Sequence, residues 1–333
     1  MSVASNAISR HLARHLPRPA HRRPGPQARV AVRAGAAACV AAAFMVPIAR
    51  RRRRIPAPVT AAVLMTGPLA LAVLWPRSRK RDVALFAMQM WGFMIAHELP
   101  YDSPARLRER LRVGYPVAID QAIGRGTLPN TRLQRALSRP GRVTPLDRVL
   151  SWTHWLWFLE PYVTLLLIIG RHVGRFPRSA RQMAAVFDIG CAVYIALPTA
   201  PPWWAAANGA TGDDEVRRIM IEIGEETWGP AWPRMYGTLG SNPWAAMPSL
   251  HFATALMAAI LLAEAGRVEG AVGGAYAATL GFALVYLGEH YVVDLLAGAA
   301  LVLGVRFGEP LAEPLVRRIN RGLQSLEAIA APR

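Results

Sequence analysis

The apolar residues of this 333-residue chain gather into long runs instead of recurring at the spacing of a surface helix. Such runs point to helices that are apolar on every side, as in a bilayer. Candidate spans fall at 34–49, 55–75, 83–99, 152–170, 182–200, 247–265, 271–288 and 291–306. Most approach the about 17–25 residues that cross the hydrocarbon, the first and last being short. Two long interruptions separate them. Residues 100–150 carry ten Arg among scattered apolar positions, the pattern of amphipathic helices lying at an interface. Residues 201–246 hold Trp203, Trp204, Trp228, Trp232 and Trp244, which suits a membrane–water boundary. The pattern predicts an all-α fold, a polytopic membrane helix bundle. Its expected parts are a basic, disordered N-terminal tail (1–33), N-terminal spans (34–99), the interfacial segment (100–150), a membrane core (151–306) and a C-terminal tail (307–333).

Composition agrees: 53% of residues are hydrophobic and the mean hydropathy is +0.22, high for a soluble chain. The net charge of +18 matters mainly through its position. Residues 1–81 hold 16 basic residues and no acid, whereas the rest of the chain holds 23 basic and 21 acidic ones. The excess is therefore a tail and its adjoining loops, suited to anionic lipid headgroups. The stretch "RHLARHLPRPAHRRPGPQAR" offers no aromatic platforms for bases, so membrane lipids are the expected partners and nucleic acid is not. Lys80 is the only lysine, and so Arg-dominated a chain suggests a GC-rich genome and a bacterial plasma membrane. Cys39 and Cys191 sit in apolar runs and supply neither a disulfide framework nor a Cys-based metal motif. The positive-inside rule puts 171–181, Arg267 and 317–321 in the cytoplasm, and hence the 201–246 loop and the 288–291 turn outside. The same alternation puts "RRRRR" (50–54) and 100–150 outside, against the rule.

A helix over 248–265 is about 27 Å long, enough to cross the bilayer. "GRVEG" (266–270) is expected to turn the chain, and 271–288 to bring it back. His290 then returns to the face where His251 began, with Asp294 one turn deeper on the same helix side. Ionisable groups inside a membrane are costly and usually functional. Asp294 would orient His290 and support charge on its ring, making the other ring nitrogen a nucleophile. His251 would stand opposite as general acid. Pro248 suits the first helical position, and the N–H groups of Ser249 and Leu250 would then draw an anion. Nucleophile, acid and anion seat together suit phosphoryl transfer through a phosphohistidine, without a cofactor. Two His and a carboxylate also suit a metal ion, and a non-catalytic lipid-binding module would keep the same helices. His154 is a candidate for packing or for substrate contact, and Asp188 for pairing with a neighbouring helix. The acids within 213–226 suit a solvated helix or a polyol site.

The residues that carry this chemistry resemble a known family. Pro248, Ser249 and His251 resemble the Pro-Ser-x-His motif of the type 2 phosphatidic acid phosphatase superfamily, and His290 with Asp294 its His-x-x-x-Asp ending. "HYVVD", "ALPTAPPWW" (196–204) and "NPWAAMPSLH" (242–251) look like the aureobasidin-resistance-like branch, which contains inositol phosphorylceramide synthases. The likeness spans roughly residues 150–306, and weakly 115–150. It implies a metal-independent phosphatase or phosphotransferase acting on a lipid-linked phosphate, built on a six-helix core with extra N-terminal spans. It implies His290 as nucleophile, Asp294 as its partner, His251 as general acid, and a site facing away from the cytoplasm. Family members usually clamp the phosphate with basic residues. Here Trp203 and Trp204 stand where relatives often read "APPR", Leu284 where the third motif has an upstream Arg, and Glu289 where Asn is common. Arg234, Arg217 and Arg218 of the outer loop are the candidates to replace the clamp.

Overall fold

The computed structural model describes residues 25–139, 141–239 and 242–331; most of the expected N-terminal tail lies outside the described residues. Helices α1 (Pro26–Arg53) and α2 (Ala57–Leu74) form an N-terminal hairpin, and α3 (Arg79–Glu98) packs beside α2. A 3-10 turn, Leu99–Asp102, leads into three small helices, α4 (Pro104–Arg110), α5 (Gly114–Ile123) and α6 (Pro129–Leu137). Next come α7 (Pro145–Leu156), α8 (Glu160–Arg171) and α9 (Phe176–Ala196). The loop after α9 carries α10 (Pro202–Ala207), α11 (Ile219–Trp228) and α12 (Trp232–Leu239). The last three helices are α13 (Leu250–Ala265), α14 (Arg267–Tyr286) and α15 (Val292–Ala330).

The architecture is the expected all-α polytopic bundle. By length and composition α1, α2 and α14 are each long and apolar enough to cross a membrane. The expected continuous span 152–170 is instead a broken one, α7 and α8 meeting at 55°. The N–H groups of Trp157, Phe158 and Leu159 bond to carbonyls three residues back, tightening the chain into a 3-10 turn. Pro161 then opens the next helix, where its missing N–H costs nothing. Helix α13 is apolar with 16 residues, and α3, α9 and α15 carry more polar side chains while packing against their apolar neighbours. Gln89 of α3 donates to Asp188 of α9 at 2.7 Å, the interhelical pairing expected of that carboxylate. The N-terminal helix begins at Pro26, inside the segment read as tail, because Pro suits the first turn and an alanine-rich run follows. Residues 307–330, also read as tail, continue α15.

Ion pairs mark the two ends of the bundle. At one end Arg50 reaches Glu98 and Asp102 at 2.9 and 3.1 Å. At the other, Arg306 meets Glu264 at 2.5 Å, Arg178 meets Glu309 at 2.7 Å, and Arg81 meets Glu327 at 2.9 Å. Residues 50–54 thus lie at the end where α13 begins, opposite 77–81 and 171–181, and the Arg50 charge that offends the positive-inside rule is paired in place.

Small residues make the α13–α14 hairpin tight. A methyl on Gly270 would come within 2.6 Å of Ala263, and one on Gly273 within 2.9 Å of Ala259. Close backbone approach of this kind is how helices pack in lipid. The turn between them is also shorter than "GRVEG" suggested, since α14 already starts at Arg267.

Candidate active site

Ser249 caps α13, its Oγ accepting the N–H of Phe252 at 3.3 Å. Pro248 therefore precedes the cap and does not occupy the first helical position; its peptide bond with Met247 is cis. The two N–H groups expected to draw an anion are both engaged. That of Ser249 donates to the carbonyl of Asp294 at 2.9 Å, and that of Leu250 to the Tyr194 hydroxyl at 3.1 Å. Tyr194 donates in turn to the carbonyl of Pro248 at 2.6 Å. These groups fasten α13 to α9 and α15, so an anion must find its partners elsewhere in the site.

The turn bearing His290 is held from the other side. Gly288 adopts φ +82, and a Cβ there would meet the carbonyl of Arg217 at 2.5 Å, so only glycine fits. Asp120 of α5 accepts the N–H groups of Val292 and Val293 at 2.8 and 2.9 Å, capping α15. Burial raises the Asp120 carboxyl above the usual carboxylate range, and those two bonds pull it back. Asn130 of α6 donates to the carbonyls of Val285 and His290 at 2.7 and 2.9 Å, and Gln134 to that of Tyr286 at 2.8 Å. The segment expected to lie along the interface thus covers and pins the His290 turn. Sequence reasoning missed these three residues because a polar side chain on an amphipathic helix reads as solvent-facing.

The predicted trio does converge. His251 Nδ1 and His290 Nε2 are 3.1 Å apart, and His290 Nδ1 lies 3.3 Å from Asp294 Oδ2. The same carboxylate oxygen accepts the N–H of Tyr291 at 2.9 Å. With Nδ1–H of His290 donating to Asp294, its Nε2 turns a lone pair toward His251, whose Nδ1–H donates between the rings. The break between α7 and α8 turns two rings onto His251. Trp157 lies 4.0 Å from it centroid to centroid, and His154 stacks on it at 5.0 Å. His154 is fully buried behind His251 and does not line the cavity, so its candidacy for substrate contact gives way to packing.

A cavity of about 350 Å³ opens on His251 and His290, lined also by Glu289, Arg218, Trp203 and Tyr236. Its cation is Arg218. Of the other two clamp candidates, Arg234 is exposed on α12 and outside the lining, and Arg217 pairs with Glu222. The outer-loop acids also have protein partners: Asp214 accepts from Gln121 and from the N–H of Leu128, and Glu226 pairs with Arg148. Among the described residues no group of three His, Cys, Asp or Glu side chains is arranged to hold a metal ion.

The family model described as the PAP2 superfamily matches residues 131–306, a stretch that contains all three residues of the trio and the Arg218–Glu289 pair. Asp120 and Asn130 lie ahead of it. No curated protein and no solved structure matches the chain.

Proposed function

The chain belongs to the PAP2 superfamily, and from that premise we propose that His290 takes a phosphate-bearing group from a membrane lipid and passes it to water or an alcohol. Membership makes the protein an integral membrane enzyme of the lipid-phosphate phosphatase kind. The observation that carries the finer reading is the run from Asp294 through His290 to His251, opening on a cavity that holds a guanidinium. Nε2 of His290 attacks phosphorus, the bond to the leaving oxygen breaks, and the His251 proton goes to that oxygen. In the second half the acceptor hydroxyl gives its proton back to His251, an O–P bond forms and the N–P bond breaks. The 3.1 Å between the rings leaves no room for phosphorus, so substrate entry must part them. Water as acceptor makes the enzyme a phosphatase; a polyol or lipid alcohol makes it a phosphotransferase like the inositol phosphorylceramide synthases. The Arg-rich segments 77–81 and 171–181 at the far end support a bacterial plasma-membrane orientation with the cavity outside. A missing phosphate clamp would favour an inert binding module, and Arg218 supplies the cavity with a guanidinium.

The test uses purified protein with short-chain phosphatidic acid, a polyprenyl phosphate and an inositol phospholipid. Turnover is expected to resist chelators, to be inhibited by vanadate, and to pass through an acid-labile phosphorus label on His290. Turnover that vanishes with chelator, or proceeds without such a label, overturns the mechanism.

The packing around the trio makes a separate expectation. A methyl on Gly298 of α15 would lie 2.8 Å from the Ser249 carbonyl, pushing the start of α13 away. Overpacking costs about 1–3 kcal/mol, whereas a displacement near 1 Å costs about a hundredfold in rate. Gly298→Ala is therefore expected to lose activity far more than stability. Gly304→Ala, where the added methyl meets open space, is the control. Rate assays and thermal unfolding of both variants check it.

A further inference from the structure

Glu289 sits directly before the proposed nucleophile, and Arg218 comes from the loop ahead of α11. Both line the cavity with His251 and His290. Arg218 donates from Nε and Nη2 to the two carboxylate oxygens of Glu289 at 2.8 and 3.2 Å. Its guanidinium carbon lies 4.1 Å from the centroid of the Trp203 ring. A two-point ion pair with a stacked face fixes the direction of a guanidinium in a way lysine does not reproduce. The third nitrogen, Nη1, stands outside that pair. The side chains are 27% and 9% exposed, so water screens the pair little. Tyr236 lines the same cavity, and burial pushes its phenol above its ordinary range, so it adds no charge.

The pair therefore offers an oriented donor while its own charges cancel. A lipid phosphate monoester brings two negative charges at pH 8, and a phosphodiester brings one. Because the carboxylate offsets the guanidinium, a second substrate charge meets no net cation there, and its desolvation goes uncompensated. We propose that Arg218, held by Glu289 and Trp203, receives the substrate phosphate, and that the pair selects a singly charged lipid phosphodiester over a doubly charged monoester. This rests on the reading of His290 and His251 as the reacting pair. Arg218 takes a non-bridging oxygen through Nη1, and Glu289 cancels the net positive charge that a second phosphate charge would need.

The experiment compares dioctanoyl phosphatidylglycerol with dioctanoyl phosphatidic acid as diester and monoester at pH 8, on the full chain in detergent. Diethyl phosphate and inorganic phosphate serve as soluble probes, read by thermal unfolding. Wild type is expected to favour the diester by about tenfold or more in kcat/KM, and to be stabilised by diethyl phosphate at lower concentration than by inorganic phosphate. Glu289→Gln removes the charge and keeps the shape, and should move both preferences toward the doubly charged species by a similar factor. Arg218→Ala and Arg218→Lys should weaken both substrates about tenfold or more. Arg217→Ala, which removes a guanidinium outside the cavity, should behave as wild type. A wild type that favours the monoester, an unchanged preference in Glu289→Gln, or full activity in Arg218→Ala each overturns the clamp. If any of these occurs while His290→Ala is inactive, the clamp alone falls. If no lipid is turned over and neither probe stabilises wild type, the underlying reading falls with it.

Discussion

Replacing His290 with asparagine is expected to lower turnover about ten-thousandfold or more, the scale seen when a covalent nucleophile is removed from a catalytic set. The fold should survive. The turn around residue 290 is held by backbone groups: the N–H groups of Glu289 and His290 both reach the carbonyl of Leu284, and Asn130 holds the carbonyl of His290. Asp294 keeps its bond from the N–H of Tyr291. The variant should therefore unfold within a few degrees of wild type and take no phosphorus label. His251→Asn separates the two roles. It removes a general acid, worth about a hundredfold to ten-thousandfold, and leaves the nucleophile in place. A substrate with a good leaving group, such as a nitrophenyl phosphate ester, needs no protonation on departure. It should restore most of the His251→Asn rate and none of the His290→Asn rate. If rescue follows the opposite pattern, the two histidines exchange roles.

What could be read in the chain, and what could not, divides along a physical line. Long apolar runs are local, so the helical bundle and the α13–α14 hairpin were legible, and with them the meeting of His251, His290 and Asp294 across 39 residues. Helix geometry alone carried that inference, because two antiparallel spans of equal length must return to the same face. The hydrogen-bond partners of the helix start were not legible. Nothing local to "PSLH" says that the N–H of Ser249 meets the carbonyl of Asp294, or that Tyr194 from α9 reaches Leu250. An N-terminal turn looks free until the elements packed on it are known.

Arg218 shows the same limit from another side. Three outer-loop arginines were equivalent in sequence, and only tertiary structure sends Arg217 to Glu222, leaves Arg234 exposed and turns Arg218 into the cavity. A signal was nevertheless present. Glu289 beside the nucleophile is an acid that a phosphate site cannot leave uncompensated, and compensation required a cation from another part of the chain. The Asp120–Asn130–Gln134 group had a weaker signal. Each lies in a segment whose apolar residues, such as Val117 and Leu128, are themselves buried, which argues for packing over residues 285–293 and against a helix merely resting on lipid.

Asp294→Asn is expected to slow turnover about a thousandfold to ten-thousandfold while leaving the unfolding temperature nearly unchanged, as when an amide replaces the carboxylate behind a catalytic imidazole. The carboxylate has two distinct duties on one oxygen: Oδ2 accepts the N–H of Tyr291 at the start of α15 and faces His290 Nδ1. Its Oδ1 is buried and finds no hydrogen-bond partner among the described residues. Asparagine serves the first duty well, since it ranks with aspartate at helix starts. It fails the second in either orientation. With the amide nitrogen toward His290, it cannot accept the N–H of Tyr291 either, so this orientation is disfavoured, and in it the ring would carry its proton on Nε2 and lose the attacking lone pair. With the oxygen toward His290 the tautomer survives, but the negative charge that supports the ring during attack is lost. Binding at the Arg218–Glu289 pair should change little, because no hydrogen bond or ion pair joins that pair to Asp294, which meets the cavity lining only through His290, and stabilisation by diethyl phosphate is expected within about threefold of wild type. A carboxylate that only capped α15 would make the opposite forecast, a variant both stable and active, and that outcome would remove Asp294 from the reaction. Asp294→Ala gives the complementary case. It strands the buried N–H of Tyr291, costs about 1–3 kcal/mol of stability, and tells how much of the fold depends on the duty that asparagine retains.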